Sequence, residues 1–341
     1  MDSLSVLQRY RAEIDDELRV LFSGHRQSIY DMLRYHLGWV DEKGRPQETG
    51  GGKRLRPSLC LLCCEALGGD YRQALPAAAG IELLHNFTLI HDDIEDNDRE
   101  RHHRPTVWSL WGVPRAINAG DGLHVIAHLA MLGLEQRGVP AAKVVQVATV
   151  LGEACLEICE GQDLDISFEE RLDVRVEDYL QMITRKTAAL MEASFRIGAL
   201  LGTDDEEAVY CLALSGRKLG LAFQMRDDVL GIWGRAEDTG KVSANDIRRK
   251  KKSLPVVYTF SKARDEARKE LERIYAKETL SEDDVASVLA IMEEVGAEAF
   301  AQRLAEDLLN EALGELNKVS STSHALAELK RLAVFFVERA Y

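Results

Sequence analysis

The chain has 341 residues, 46% of them hydrophobic, and a formal net charge of −14 with a pI near 5.2. That acidity argues against a nucleic-acid partner, whose contact surfaces are basic, and no apolar stretch approaches the roughly 20 residues of a transmembrane segment. The opening residues, MDSLSVLQRYRAEIDDEL, lack the basic start and apolar run of a secretory signal, so a cytoplasmic location is expected.

Helical periodicity runs from end to end, and the prolines at 46, 57, 76, 105, 114, 140 and 255 fall at breaks between helices. Nothing reads as a strand–helix–strand repeat, so the expectation is a single all-α domain over 1–341. The charged, glycine-rich segment from Asp41 to Gly52 separates a first helical hairpin from the rest. At its end Gly50, Gly51 and Gly52 allow close backbone approach to an anion, and Lys53, Arg54 and Arg56 follow within one turn. The order is not that of a P-loop, and a solvated basic turn is the alternative reading. The cysteines at 60, 63, 64, 155, 159 and 211 lie mostly in apolar helical runs. Cys60 and Cys63 have zinc-like spacing without a second matching pair, which favours buried free thiols.

The apolar helix Ile81 to Ile90 then runs into HDDIEDND. Residues four apart share a helix face, so Asp92 and Asp96 project together, about 6 Å apart along the axis. Asp93 is turned about 100° away and is placed to orient water or a basic neighbour. Like charges at this spacing repel, a cost that bound cations would offset. Val144 to Val150 has strand propensity, yet its flanks continue a helix. Gly161 to Asp165 offers more oxygen ligands or simply a helix end. Lys186 and Thr187 form a polar island beside the apolar run Leu190 to Leu201. A second acidic pair, Asp227 and Asp228, sits in FQMRDDVLG among Leu221, Phe223, Met225, Val229, Leu230 and Ile232. The charged stretch Arg235 to Ser253 follows, carrying Lys241 and the run Arg248 to Lys252. Ser281 to Asp284 reads as a capping box before Val285, Val288, Leu289 and Met292, and Leu326, Leu329, Leu332 and Phe336 give the last segment one apolar face.

Oxygen-only ligands without paired His or Cys select a hard cation, Mg²⁺, which Mn²⁺ could replace. Acidic helix faces for a metal-bound diphosphate, beside a basic pocket for a second one, suggest an enzyme that joins two diphosphate esters.

These residues in this order resemble the trans-isoprenyl diphosphate synthase (polyprenyl synthetase) family, from about Gly50 to Pro255. The resemblance implies an all-α isoprenoid synthase helical bundle around a deep central cavity, usually a homodimer. It also implies 1′-4 head-to-tail condensation of isopentenyl diphosphate with an allylic diphosphate, assisted by three Mg²⁺. In the family's pattern Asp92, Asp96 and Asp227 match the metal ligands, with Asp228 beside them. Lys53, Arg56 and His85 match the isopentenyl diphosphate site. Arg101, Lys186, Thr187, Gln224 and Lys241 match the contacts to the allylic diphosphate, and Gln162, Asp165 and Asp246 match positions near the metals.

Two departures stand out. The second acidic motif commonly ends in a third aspartate, where this chain has Gly231. His102 stands where the family has an arginine for isopentenyl diphosphate, and Arg104 or Arg99 is expected to compensate. Histidine at 102 predicts that affinity for this substrate falls as pH rises through the histidine range, whereas a flat KM profile would remove the idea. Phe87, five residues before Asp92, resembles the product-length gate of synthases making geranylgeranyl diphosphate (C20), although an ideal helix puts Thr88 beneath Asp92 and turns Phe87 aside. Farnesyl diphosphate (C15) is the second expectation. A class I terpene cyclase would have little use for Lys53, Arg56 and His85, and an inactive partner subunit is the reading that Gly231 and His102 favour.

Overall fold

A computed structural model describes residues 3–47, 52–234 and 244–338. Helices dominate the described residues, which divide into two compact units.

The first unit comprises Met1–Cys155, Ala193–Leu212 and Ser320–Leu329. Its helices are α1 (Ser3–Leu21), α2 (Ser28–His36), α3 (Leu55–Ala66), α4 (Leu75–Glu95), α5 (Val107–Trp111), α6 (Val113–Leu132) and the first half of α7 (Ala141–Phe168). Prolines open α4 and α6, where a missing N–H costs nothing. The middle of α4 is buried on nearly every side because α1, α3 and α6 all pack on it. Small residues permit this: a Cβ at Gly80 would lie 2.8 Å from the Ala127 carbonyl oxygen of α6. The later half of α9 (Ala189–Gly202) approaches α3 as closely, since a Cβ at Gly198 would meet the Cys60 carbonyl oxygen at 2.1 Å.

After α4 the chain makes a small antiparallel hairpin, β1 (Glu100–Arg101) with β2 (Arg104–Pro105). Its two-residue turn, His102 and His103, has φ of 52° and 59°, the paired positive values of a type I′ turn. Histidine is among the side chains that tolerate this region.

The second unit comprises Leu156–Glu192, Ala213–Val319 and Lys330–Tyr341. It holds the rest of α7, α8 (Val176–Ile183), a single π turn (Thr184–Ala188), the start of α9 and most of α10 (Glu206–Trp233). Beyond these come α11 (Asn245–Arg248), α12 (Leu254–Lys262), α13 (Asp265–Tyr275), α14 (Glu282–Glu294), α15 (Ala297–Lys318) and the end of α16 (His324–Glu338). Ile232, Ile247, Val256, Phe260, Leu271, Ile274, Val288 and Met292 share one core cluster. The capping box at α14 forms as read: Ser281 Oγ accepts from the Asp284 N–H, whose carboxylate accepts from the Ser281 N–H.

Val144 to Val150 lies within α7, so the helical flanks override strand propensity. The cysteines are free thiols, with Cys159 exposed and the others buried. Among the described residues no helix is long and apolar enough to cross a membrane.

Candidate active site

In the first unit, α4 carries the first acidic pair at its C-terminal end. Asp92 is half-buried within the helix, and Asp96 is the exposed residue that caps it. Carboxylates there face the negative end of the helix dipole, which raises the cost of their charge and the gain from a cation. Asp93, on another face, is buried and accepts a 2.7 Å hydrogen bond from Arg101 Nε of the hairpin. Burial pushes the Asp93 carboxyl up to about 6 against the pull of Arg101. The basic neighbour expected for Asp93 is therefore Arg101, which it orients. His85 lies seven residues before Asp92, within about 20° of the same helix face and about 10 Å along the axis.

Around His85 the two loop arginines divide their work. Arg54, in the left-handed region at φ 49°, is saturated by Asp15 at 2.9 Å and Glu82 at 2.6 Å, and anchors the start of α3. Arg56 reaches only the His85 ring, Nη1 to Nε2 at 3.2 Å; its buried Nε has no partner, and no carboxylate pairs with it among the described residues. Burial pulls the Arg56 guanidinium down, countered only by Glu82. A half-buried cation offset only by Glu82 favours the approach of an anion.

A guanidinium can only donate, so His85 Nε2 accepts and the ring is neutral. Burial and then Arg56 hold it well below the ordinary histidine range. Sequence reasoning missed His36 of α2. Burial, then Arg101 and Arg104, pull it to about 3, and its Nε2 has no partner. Lys53 is exposed, whereas Gly50 and Gly51 lie outside the described residues.

His102 is exposed on the hairpin turn. Arg104 and Arg99, the expected stand-ins for an arginine there, both lie against aromatic rings. Arg104 lies over the Tyr35 ring at 4.2 Å and donates to the Val40 carbonyl, and Arg99 lies over Trp108 at 5.5 Å. Both guanidiniums are engaged by aromatic faces.

In the second unit, the π turn presents Lys186 and Thr187. Gly161 of α7 makes the turn's position possible, because a Cβ there would be 2.3 Å from the Lys186 nitrogen. Single π turns recur at functional sites because they rotate one side chain out of helical phase. Lys186 Nζ donates to Asp165 at 2.6 Å, Thr187 Oγ1 donates to Gln224 Oε1 at 2.9 Å, and Gln224 Nε2 donates to Asp228 Oδ1 at 3.0 Å.

Asp228 is fully buried and also accepts from the Tyr179 hydroxyl and the Leu254 N–H. It organises the site from beneath. Its neighbour Asp227 is half-buried and has no hydrogen-bond partner among the described residues, as suits a ligand. Gln162 is half-buried on α7, and Asp246 is buried beside Gly231. Lys251, hidden in sequence within a basic run, brings Nζ to 3.8 Å from Asp228. Burial alone would lower its pKa, but Asp228, Asp246, Asp227 and Asp165 together raise it. Lys241 lies outside the described residues.

Residues 41–292, more than half of the chain, match the polyprenyl synthetase family. The chain belongs to that family. A farnesyl diphosphate synthase of Mycobacterium bovis is 40% identical over 311 residues, covering 90% of this chain and 85% of its own. A geranylgeranyl diphosphate synthase of Mycobacterium tuberculosis is 39% identical over 313 residues, covering 92% and 88%. The crystal structure of a polyprenyl synthetase from Streptomyces coelicolor superposes with a TM-score of 0.91 at 36% identity, over 98% of this chain and all of that one. The all-α fold is thus that of the isoprenyl synthases, and the protein is a short-chain trans-prenyltransferase.

Members of the family use magnesium. The donor chemistry here fits it, being carboxylate oxygen without imidazole or thiol. Among the described residues no three carboxylate, imidazole or thiol side chains converge on a metal position. Pairs of carboxylates suit an ion that keeps waters and takes further oxygens from a diphosphate.

Phe87 faces α6 and not the Asp92 side of α4. Its ring stacks on His124 at 5.1 Å and meets His91 edge-on at 4.9 Å, while Thr88 Oγ1 bonds back to the His85 carbonyl.

Proposed function

We propose that this prenyltransferase condenses isopentenyl diphosphate with an allylic diphosphate in the 1′-4 sense and that geranylgeranyl diphosphate is its main product. The observation that carries the reading is on α4. One helix face bears the Asp92 and Asp96 pair and, about 10 Å away, His85 with the uncompensated Arg56. A metal-dependent and a metal-free diphosphate grip then stand at a separation that suits two substrates.

Asp92, Asp96 and Asp227 hold magnesium, three ions in this reading, with manganese able to replace it. When bound, magnesium would neutralise the charge of the allylic diphosphate and ease its departure, with the bridging oxygen, from C1. Arg101, set by Asp93, acts on the same group with Lys186, Thr187, Gln224 and Lys241. Lys53, Arg56 and His85 hold the diphosphate of the second substrate, whose double bond attacks C1 of the first. The proton then lost goes to the released diphosphate, so no protein base is needed. A site closed to water would protect the allylic cation.

The C20 product is supported by the geranylgeranyl synthase relative and by the resemblance of Phe87 to the length gate of such synthases. The farnesyl synthase relative favours C15 as the second reading. Incubation with Mg²⁺, labelled isopentenyl diphosphate and C5, C10 or C15 allylic partners should give C20 from each. Arrest at C15 would favour the second reading, and no elongation would overturn both. A homodimer is part of the proposal, supported by Val113, Ile117, Val125, Leu129 and Leu132, all exposed on α6. Light scattering should report twice the chain mass, and a monomer would contradict it.

A further inference from the structure

Helix α2 ends on His36, an imidazole that the proposed reaction leaves without a role. The residue before it fixes where that end sits. The Tyr35 hydroxyl donates to the Pro105 carbonyl at 2.8 Å, and the Arg104 guanidinium lies over the Tyr35 ring at 4.2 Å, so α2 is tied to the β1–β2 hairpin. From that hairpin Arg101 and Arg104 face His36, and from α4 Asn86 hydrogen-bonds to it. Asn86 is held in turn by Glu82, whose carbonyl and carboxylate accept from its amide at 2.8 and 3.1 Å. His85, the residue before Asn86, has His36 among its neighbours, together with Arg56, Arg101 and Arg54. His36 therefore borders the pocket that holds Arg56 and His85.

Most donors of this pocket already have acceptors. Arg54 is bonded to Asp15 and Glu82, Arg101 to Asp93, and Arg104 to the Val40 carbonyl. Two groups are left short among the described residues: Arg56, whose Nε is buried without a partner, and His36, whose Nε2 is buried without one. The His36 ring is neutral, so it carries a single N–H, and the guanidiniums around it have no lone pair to accept that hydrogen. Buried polar atoms left in this state are exceptions that call for a ligand or a water. An oxyanion entering beside Arg56 would serve both groups.

We infer that His36 is a further binding residue for isopentenyl diphosphate, its Nε2–H donating to the diphosphate that Arg56 grips. The inference rests on the proposed metal-free site for this substrate and adds a residue to it from α2, in a chain whose position 102 is an exposed histidine. A purely structural role for His36 would be to brace the hairpin. That role would also disturb Arg101, and with it the allylic substrate, so the two roles separate experimentally.

The test is equilibrium binding of isopentenyl diphosphate in EDTA and of an allylic thiolodiphosphate in Mg²⁺, with thermal midpoints as the check on folding. His36→Ala should weaken isopentenyl diphosphate by about tenfold, the worth of one charge-assisted hydrogen bond, and leave the allylic analogue within about twofold of the parent. His36→Gln, which sets an amide N–H near the Nε2 position, should bind within about threefold of the parent, whereas His36→Asn, which sets one near Nδ1, should behave as His36→Ala does. Should His36→Ala not fold, the contrast between the two amide variants decides. A folded His36→Ala protein that binds isopentenyl diphosphate as the parent does would overturn the inference, as would equal weakening of both ligands or a His36→Gln protein no better than His36→Asn. A parent that does not bind isopentenyl diphosphate in EDTA would instead sink the metal-free site and the inference together.

Discussion

Arg56 shows how burial turns a basic residue into an anion site. Arg54, two positions away, is neutralised by Asp15 and Glu82, whereas Arg56 has only an imidazole. Arg56→Ala should raise KM for isopentenyl diphosphate by roughly tenfold to a hundredfold while leaving KM for the allylic substrate nearly unchanged. Equal rises in both constants would remove the assignment. At this scale the sequence marks candidates through local motifs, such as Asp92, Asp96, Asp227 and His85. It also places Asp93 correctly through helix phase alone. It hides His36, Tyr179 and Lys251, whose roles arise from burial or from contacts with residues distant in the chain. It does not show that Arg104 and Arg99 rest on aromatic rings, because Tyr35 is distant in the chain and Trp108 is brought near by the hairpin.

The helices were legible because apolar residues recur with helical period and because capping chemistry is local, as at Ser281 and Asp284. The hairpin after α4 was not, since strands of two residues carry no alternation. The π turn was not either, because one extra residue per turn leaves no mark on a 3.6-residue pattern. That turn depends on Gly161. Gly161→Ala should push Lys186 and Thr187 from their partners Asp165 and Gln224, lowering kcat by roughly tenfold to a hundredfold with a smaller loss of stability. Turnover at the parental rate would mean that the turn's position is immaterial. Gly198→Ala, by contrast, forces α9 from α3 and should cost about 1–3 kcal/mol in urea unfolding without a specific kinetic signature. An unchanged unfolding midpoint would contradict the close approach at Cys60.

The whole molecule keeps His36 and His85 neutral inside the fold, and both become free to protonate on unfolding. Their folded values lie below the ordinary 6.5, so the stability they contribute is fully present above pH 6.5 and is lost as pH falls. Each should cost about 1.4 kcal/mol per pH unit below that point. Urea unfolding at pH 7 and pH 5 should show the loss, and His36→Asn should lose visibly less than the parent. Equal losses would mean that the ring is charged in the fold.

The central claim is that two diphosphates are held by different physics, one through magnesium on carboxylates and the other by Arg56, Lys53 and the neutral His85 without metal. Equilibrium binding of isopentenyl diphosphate and of an unreactive allylic thiolodiphosphate, each with excess Mg²⁺ and then with EDTA, separates the two directly. The account predicts that EDTA weakens the allylic analogue by about a hundredfold or more and isopentenyl diphosphate by no more than about threefold. Equal weakening of both ligands, or of neither, would contradict it.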